Sequence, residues 1–293
     1  STLGTTNRFD MVGELVVLAH HPVLLAADTI AFYRLSTNEG FQLSPDPNRR
    51  NNRRIPTTDG QRIVYSALRT LNSTSPLREA IASFEPNTRT ETDLTCLQKR
   101  TSPDHCGVLE LGATPTGFAI DHPPTGGMCT EPGAIWQRYD TPEPKLLSQG
   151  GIVYLHAQGN VVVWSQANPQ TKGLNVVAYD TQSGKTSYVD PSVHAQLHAR
   201  TDGRYVVWAD CRNDPKCNYG NWGNTDIYRH DLQTGKTELV SDNPAQQIFP
   251  DVSGKWVTWQ DSRNDPKSIT PHLDWARIDA YVKNMDSGAE HYM

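Results

Sequence analysis

The sequence predicts an all-β chain folded as a six-bladed β-propeller, with four antiparallel strands per blade. Three observations predict it. Short Val-, Ile- and Tyr-rich runs alternate with turns, in a chain with 21 Gly and 20 Pro and almost no helical periodicity. A strand–Gly turn–strand–polar loop unit recurs, as Gln196-Leu-His-Ala-Arg-Thr-Asp-Gly-Arg-Tyr-Val-Val-Trp-Ala-Asp-Cys-Arg-Asn-Asp-Pro215 and again from Gln247 to Pro266. A second hairpin follows each copy, Thr225 to Val240 with its turn at Thr234-Gly235, and Ile278 to Tyr292 with its turn at Ser287-Gly288.

The same pattern accounts for the chain from its N-terminal side. Arg8 to Leu18 and Ile30 to Leu43 supply the two hairpins of a first blade, over 7–46. Arg54-Ile-Pro-Thr-Thr-Asp-Gly-Gln-Arg-Ile-Val-Tyr65 opens a second, over 53–98. The third, 107–148, is the most degenerate and rests on Gly117 to His122 and Ala134 to Arg138. Tyr154 to Trp164 and Asn175 to Val189 make the fourth, 152–190. The fifth and sixth cover 195–241 and 246–293, so residues 1–293 are expected to form one propeller domain. A unit of about 48 residues cannot bury both faces of its own small sheet, so neighbouring units must stack. Trp164, Trp208 and Trp259, with Tyr65, hold one repeated position and are expected in the blade cores.

Composition excludes several classes. Lys+Arg number 27 against 32 Asp+Glu, for a net charge of −5, which excludes a globally basic nucleic-acid binder. No apolar run exceeds the five residues of Leu15 to Ala19, too short to span a bilayer. Cys-x2-Cys metal spacing, the Gly-x-Ser-x-Gly elbow and helical His-Glu-x-x-His are absent.

The pattern Pro-Asp-x-Ser-Gly-x-x-Val-x-Trp-x-Asp-x-Arg-Asn, followed by Asp-Ile-Tyr-x-x-Asp-Leu-x-Thr-Gly, resembles TolB-type propeller repeats, strongly over residues 150–293 and weakly over 75–145. The resemblance implies a six-bladed ring with each first strand lining a central channel, and mostly binding and scaffolding roles.

Candidate residues follow from this frame. Asp210, Asp214, Asp261 and Asp265 offer oxygens for Ca²⁺; the competing reading is that they close turns onto their own backbone, with the motif Arg paired to the Asp of the following Asp-Ile-Tyr strand. His156 and His198 occupy matching positions in successive first strands, with Phe249 in the same place in the last blade. With His20, His21 and His122 at the ends of second strands, they are candidates for a divalent metal or a general base, against structural rim histidines. Arg49, Arg50, Arg53 and Arg54 precede a first strand and are expected on the loop face, where they suit an acidic polymer or protein patch. Trp222 and Trp275 break the blade period in the two long loops 211–225 and 262–277 and are candidate partner contacts. Cys211 with Cys217, and Cys96 with Cys106, are candidate disulfides, set against free thiols. The cysteines, and a start at Ser1 without Met, point to a secreted, cell-surface or periplasmic protein.

The expected function is a non-catalytic binding or assembly module that contacts another protein through its loop face, with no cofactor. The alternative is a carbohydrate-active lyase or hydrolase of acidic polysaccharide, using histidines at the channel mouth.

Overall fold

A computed structural model describes residues 9–20, 29–43, 52–69, 78–99, 110–122, 133–141, 143–148, 150–214, 224–264 and 278–293. It is all-β, with six four-stranded antiparallel sheets, each built from four consecutive strands. This is the predicted β-propeller architecture. The chain divides into two compact units, Ser1–Gly150 and Gly151–Met293, with three blades in each.

In the first unit, blade 1 is β1 (Phe9–Val12), β2 (Leu15–His20), β3 (Thr29–Arg34) and β4 (Glu39–Gln42). Blade 2 is β5 (Asn52–Thr58), β6 (Ile63–Arg69), β7 (Arg78–Glu85) and β8 (Thr90–Lys99). Blade 3 is β9 (Leu111–Thr114), β10 (Gly117–His122), β11 (Gly133–Arg138) and the two-residue β12 (Lys145–Leu146). In the second unit, blade 4 is β13 (Ile152–Gln158), β14 (Val161–Ala167), β15 (Leu174–Asp180) and β16 (Thr186–Tyr188). Blade 5 is β17 (Gln196–Thr201), β18 (Tyr205–Asp210), β19 (Asp226–Asp231) and β20 (Lys236–Ser241). Blade 6 is β21 (Gln247–Ser253), β22 (Trp256–Asp261), β23 (Asp279–Asn284) and β24 (Glu290–Tyr292).

The cores lie between blades, because successive residues of a strand face opposite sides. Trp208 packs with Val161, Val163, Val176 and Ala178 of blade 4, whereas its neighbour Val207 packs with Val252, Val257 and Trp259 of blade 6. Tyr65 and Val64 repeat this arrangement in the first unit, towards blade 1 and blade 3 respectively. Trp164 and Trp208 are fully buried, and each indole N–H is satisfied two residues along its own strand, Trp164 by Gln166 Oε1 at 2.7 Å and Trp208 by Asp210 Oδ2 at 2.9 Å. The turn glycines of blades 4 and 5 touch. A Cβ on Gly203, at φ +94°, would lie 3.2 Å from the Gln158 carbonyl oxygen and 3.3 Å from the Gly159 Cα, so a side chain fits there neither sterically nor conformationally.

Candidate functional site

Two surfaces of the second unit bring chemistry-bearing residues together. The first is where β18 and β22 end on the loop face. Asp210 is fully buried; its Oδ2 accepts from Trp208 Nε1, Arg212 Nη2 (2.5 Å) and Gln196 Nε2 (3.1 Å), and its Oδ1 accepts from the Arg212 backbone N–H (2.9 Å). Arg212 reaches on to Asp190 at 2.8 Å and lies 4.2 Å over the Tyr228 ring. Blade 6 repeats the device: Asp261 accepts from Trp259 Nε1, Arg263 Nε and the Arg263 backbone N–H, each at 2.9 Å. Arg263 bonds Glu290 at 2.7 Å and lies 4.0 Å over Tyr281.

The Asp of the following strand is held by the motif asparagine. Asn213 Nδ2 donates to Asp226 Oδ2 at 2.6 Å and Asn264 Nδ2 to Asp279 Oδ2 at 2.8 Å. This corrects the sequence-based pairing of the arginine with that carboxylate. The arginine folds back onto the Asp two residues before it, because Arg and Asp flank a tight turn closed by the Asp side chain. Burial raises the Asp226 carboxyl to about 6, with the nearby Asp242 and Asp210 charges adding to it against the Asn213 hydrogen bond.

The second surface is the run of first strands β13, β17 and β21. Each carries a β-bulge, between Val153 and His156, Leu197 and Arg200, and Ile248 and Asp251. Within each bulge one non-glycine residue is left-handed: Tyr154 (φ 60°), His198 (φ 56°) and Phe249 (φ 49°); Ile55 (φ 52°) holds the same place in β5. The bulge sets the rings of the second unit against one another, and Tyr154 also packs on Ala195, Leu197 and Cys211 of the next blade. The His198 ring centroid is 4.1 Å from Tyr154 and 4.1 Å from Phe249.

His156 is therefore not the counterpart of His198. It aligns with Arg200 and Asp251, two residues further along, and this corrects the expected matching of the two histidines. The shared triplet Leu-His-Ala (155–157 and 197–199) is misleading, because the ladder pairs Val153 with Ser165 and Leu197 with Ala209. The His156 Nδ1 accepts the backbone N–H of Thr201 in the next blade at 3.3 Å, so the neutral ring carries its proton on Nε2. Corresponding N–H groups elsewhere are capped likewise, Thr58 by Asp10 Oδ2 (2.9 Å) and Ala113 by Thr57 Oγ1 (3.3 Å). Burial, with the Arg200 charge adding to it, holds His156 well below the usual imidazole range and His198 down to about 3. Replacing His156 by Ala is expected to cost about 1–3 kcal/mol, the price of an uncapped buried N–H, and Asn at 156 to recover part of it; urea unfolding midpoints check this.

No protein-family model and no curated protein sequence matches the chain. Solved structures do. TolB from Acinetobacter baumannii matches with TM-score 0.50 and 13% identity, covering 90% of this chain and 58% of that one. An acylaminoacyl peptidase from Pyrococcus horikoshii matches with TM-score 0.60 and 10% identity, covering 98% and 45%. An oligogalacturonate lyase from Vibrio parahaemolyticus matches with TM-score 0.56 and 14% identity, covering 96% and 74%. The chain spans little more than half of the first of these and less than half of the second. With six four-stranded sheets and the Asp-x-Arg-Asn repeat, one description fits. The chain has the TolB-like six-bladed propeller fold.

On this TolB-like frame the other predicted residues are placed as follows. His20 and His122 end β2 and β10, the second strands, as expected; their side chains, and His21, lie outside the described residues. Arg53 and Arg54 lie within β5 rather than in the loop before it, which corrects that placement; the strand starts at Asn52, so the basic run straddles loop and first strand. Their side chains, and Arg49 and Arg50, are outside the described residues. So are Trp222, Trp275, Asp265, Cys217 and Cys106, and the side chain of Cys96 in β8. Cys211 is fully buried against Ala195 and Leu197, not loop-exposed as expected. Asp214 Oδ2 accepts the Asn224 backbone N–H at 2.8 Å, closing the base of the 215–223 loop. Among the described residues, no three His, Cys, Asp or Glu side chains converge as metal ligands, and no helix is long and apolar enough to cross a membrane.

Sequence reasoning missed Tyr154 and Arg200. The signal was present: the residue five before each turn glycine (Gly60, Gly159, Gly203, Gly254) is Ile55, Tyr154, His198 or Phe249, the left-handed position in every case.

Proposed function

We propose that the chain is a non-catalytic propeller, one domain over 1–293, secreted, surface-located or periplasmic, that binds another protein through its loop face. The observation that carries this reading is the fate of the repeated Asp-x-Arg-Asn motif. Its side chains are engaged with one another, with the core indoles and with the ends of neighbouring strands. Such a motif is a clamp that fixes the roots of loops 215–223 and 265–277 on adjacent blades. Each loop contributes one tryptophan outside the blade repeat, Trp222 and Trp275, and a loop-borne tryptophan suits an interface hot spot. Replacing both by Ala is expected to weaken capture of the partner by about 2–4 kcal/mol while leaving thermal unfolding unchanged. Quantitative affinity capture from an envelope extract of the source cells, with wild type and double variant side by side, tests it.

The reading of an enzyme acting on acidic polysaccharide is kept by one observation, the fold-level match to an oligogalacturonate lyase. On that reading the candidate residues are His20, His122, Arg49, Arg50, Arg53 and Arg54 in the first unit, and His156 and His198 in the second. Release of unsaturated sugar from pectate, lost in His198→Ala, would establish it.

We further propose a Cys211–Cys217 disulfide that staples the 215–223 loop. The six-residue separation allows it, and Cys211 stands at the root of that loop. Non-reducing peptide mapping that finds Cys217 alkylated in native protein would exclude it.

A further inference from the structure

Five arginines of the second unit have described side chains, and four are paired with carboxylates. Arg204 meets Asp231 at 2.9 Å, Arg212 meets Asp190 and Asp210, Arg229 meets Glu238, and Arg263 meets Asp261 and Glu290. Arg200 is the exception. It is half-buried, and its one hydrogen bond among the described residues runs from Nη1 to the adjacent Ala199 carbonyl, at 3.1 Å. A guanidinium partly withdrawn from water without a counter-ion forgoes the bidentate pairing that its planar fork favours.

Arg200 sits two residues beyond His198 on β17, the middle strand of the Tyr154–His198–Phe249 ring column, and its charge reaches both the His156 and His198 rings. His198 is buried inside the column, at 5% exposure, whereas Phe249 is 39% exposed. The column is held by one left-handed non-glycine residue in each of three first strands, a conformation that costs free energy at each and that a regular strand would avoid. What the bulges achieve is a stack of rings that runs from Tyr154, packed on Ala195, Leu197 and Cys211, to the part-exposed Phe249, beside a cation with no counter-ion among the described residues.

We infer that Arg200 and the ring column of Tyr154, His198 and Phe249 form a binding site for an organic anion whose carboxylate is carried on a flat-faced ring. The guanidinium takes the carboxylate through two parallel N–H donors, and the ring lies against Phe249. Both histidines are neutral, so Arg200 supplies the positive charge. A sugar acid and an aromatic acid share this chemistry. The site lies on first strands and does not depend on the loop-face reading.

Calorimetric titration of the full chain at pH 7 tests it, with glucuronate and phenylacetate as ring-bearing acids. Glucose and 2-phenylethanol serve as neutral rings, and acetate as an acid without a ring. At least one ring-bearing acid is expected to bind about ten-fold more tightly than both its neutral counterpart and acetate, the factor expected of a charge-assisted bond. Which acid does so separates the two sources. Arg200→Gln is expected to remove the advantage over the neutral ring, and Phe249→Ala the advantage over acetate. If Arg200→Gln does not fold, Arg200→Lys, which keeps the charge and loses the fork, is expected to reduce the advantage partially. Retention of binding in the Trp222/Trp275 double variant separates this site from the loop face. Ring acids that bind no better than acetate, or binding unchanged in the Arg200 variants, would overturn the inference.

Discussion

Replacing Asp210 by Ala is expected to destabilise the protein by about 3 kcal/mol or more, the range for removing one partner of a buried ion pair. Asp210 is fully buried and takes hydrogen bonds from Trp208, Gln196 and Arg212 at once. Its loss strands an indole N–H in the core between blades 4 and 5 and leaves Arg212 with Asp190, a pair exposed by roughly a quarter on each side and correspondingly weaker. Asp210→Asn keeps an acceptor for the indole and should cost less. The measurement is the urea midpoint at constant m. Asp261→Ala should behave alike, through Trp259 and Arg263. Because the Asp210 and Asp261 oxygens already serve protein donors, EDTA is expected to leave the unfolding midpoint where it is.

Stability below pH 6.5 is expected to carry two opposing slopes that single variants separate. His198 is held at about 3 in the folded protein, against about 6.5 in the unfolded chain. Between those values the unfolded state binds the extra proton, so stability falls as pH falls. At pH 5 the loss from His198 alone is on the order of 2 kcal/mol. His156 adds in the same direction. Two carboxyls act oppositely. Asp121 is raised to about 7, by burial first and the Glu110 charge second, and Asp226 to about 6. Each takes its proton in the folded state first, so acidification from pH 7 towards 4 stabilises through them. His198→Phe should therefore be relatively more stable at pH 5 than at pH 7.5 against wild type. Asp121→Asn should show its largest gain above pH 7. Unfolding midpoints measured from pH 4.5 to 8 resolve both, and parallel curves for wild type and His198→Phe would contradict the assigned protonation states.

The blade count was legible because it rests on residues whose burial fixes their register. Trp164, Trp208, Trp259 and Tyr65 are all nearly inaccessible to solvent and repeat on one strand. First strands start at 9, 52, 111, 152, 196 and 247, against expected starts near 7, 53, 107, 152, 195 and 246. The largest difference falls in blade 3, whose repeat is the most degenerate and whose last strand has shrunk to two residues. The bulge was not legible from residue identity. An inserted left-handed residue shifts every later side chain to the other face, so the Leu-His-Ala coincidence outweighed the glycine spacing that marks the true register. The Arg–Asp exchange in the loop clamp escaped for a different reason. Asp210, Arg212, Asn213 and Asp226 are all polar and close in sequence, and their composition does not say which donor takes which acceptor.

The loop-face reading is tested most directly by hydrogen–deuterium exchange of the chain with and without its captured partner. Protection is predicted in residues 211–225 and 262–277, with little change in β13, β17 and β21. Protection concentrated in those three first strands, with the two loops unaffected, would contradict the account.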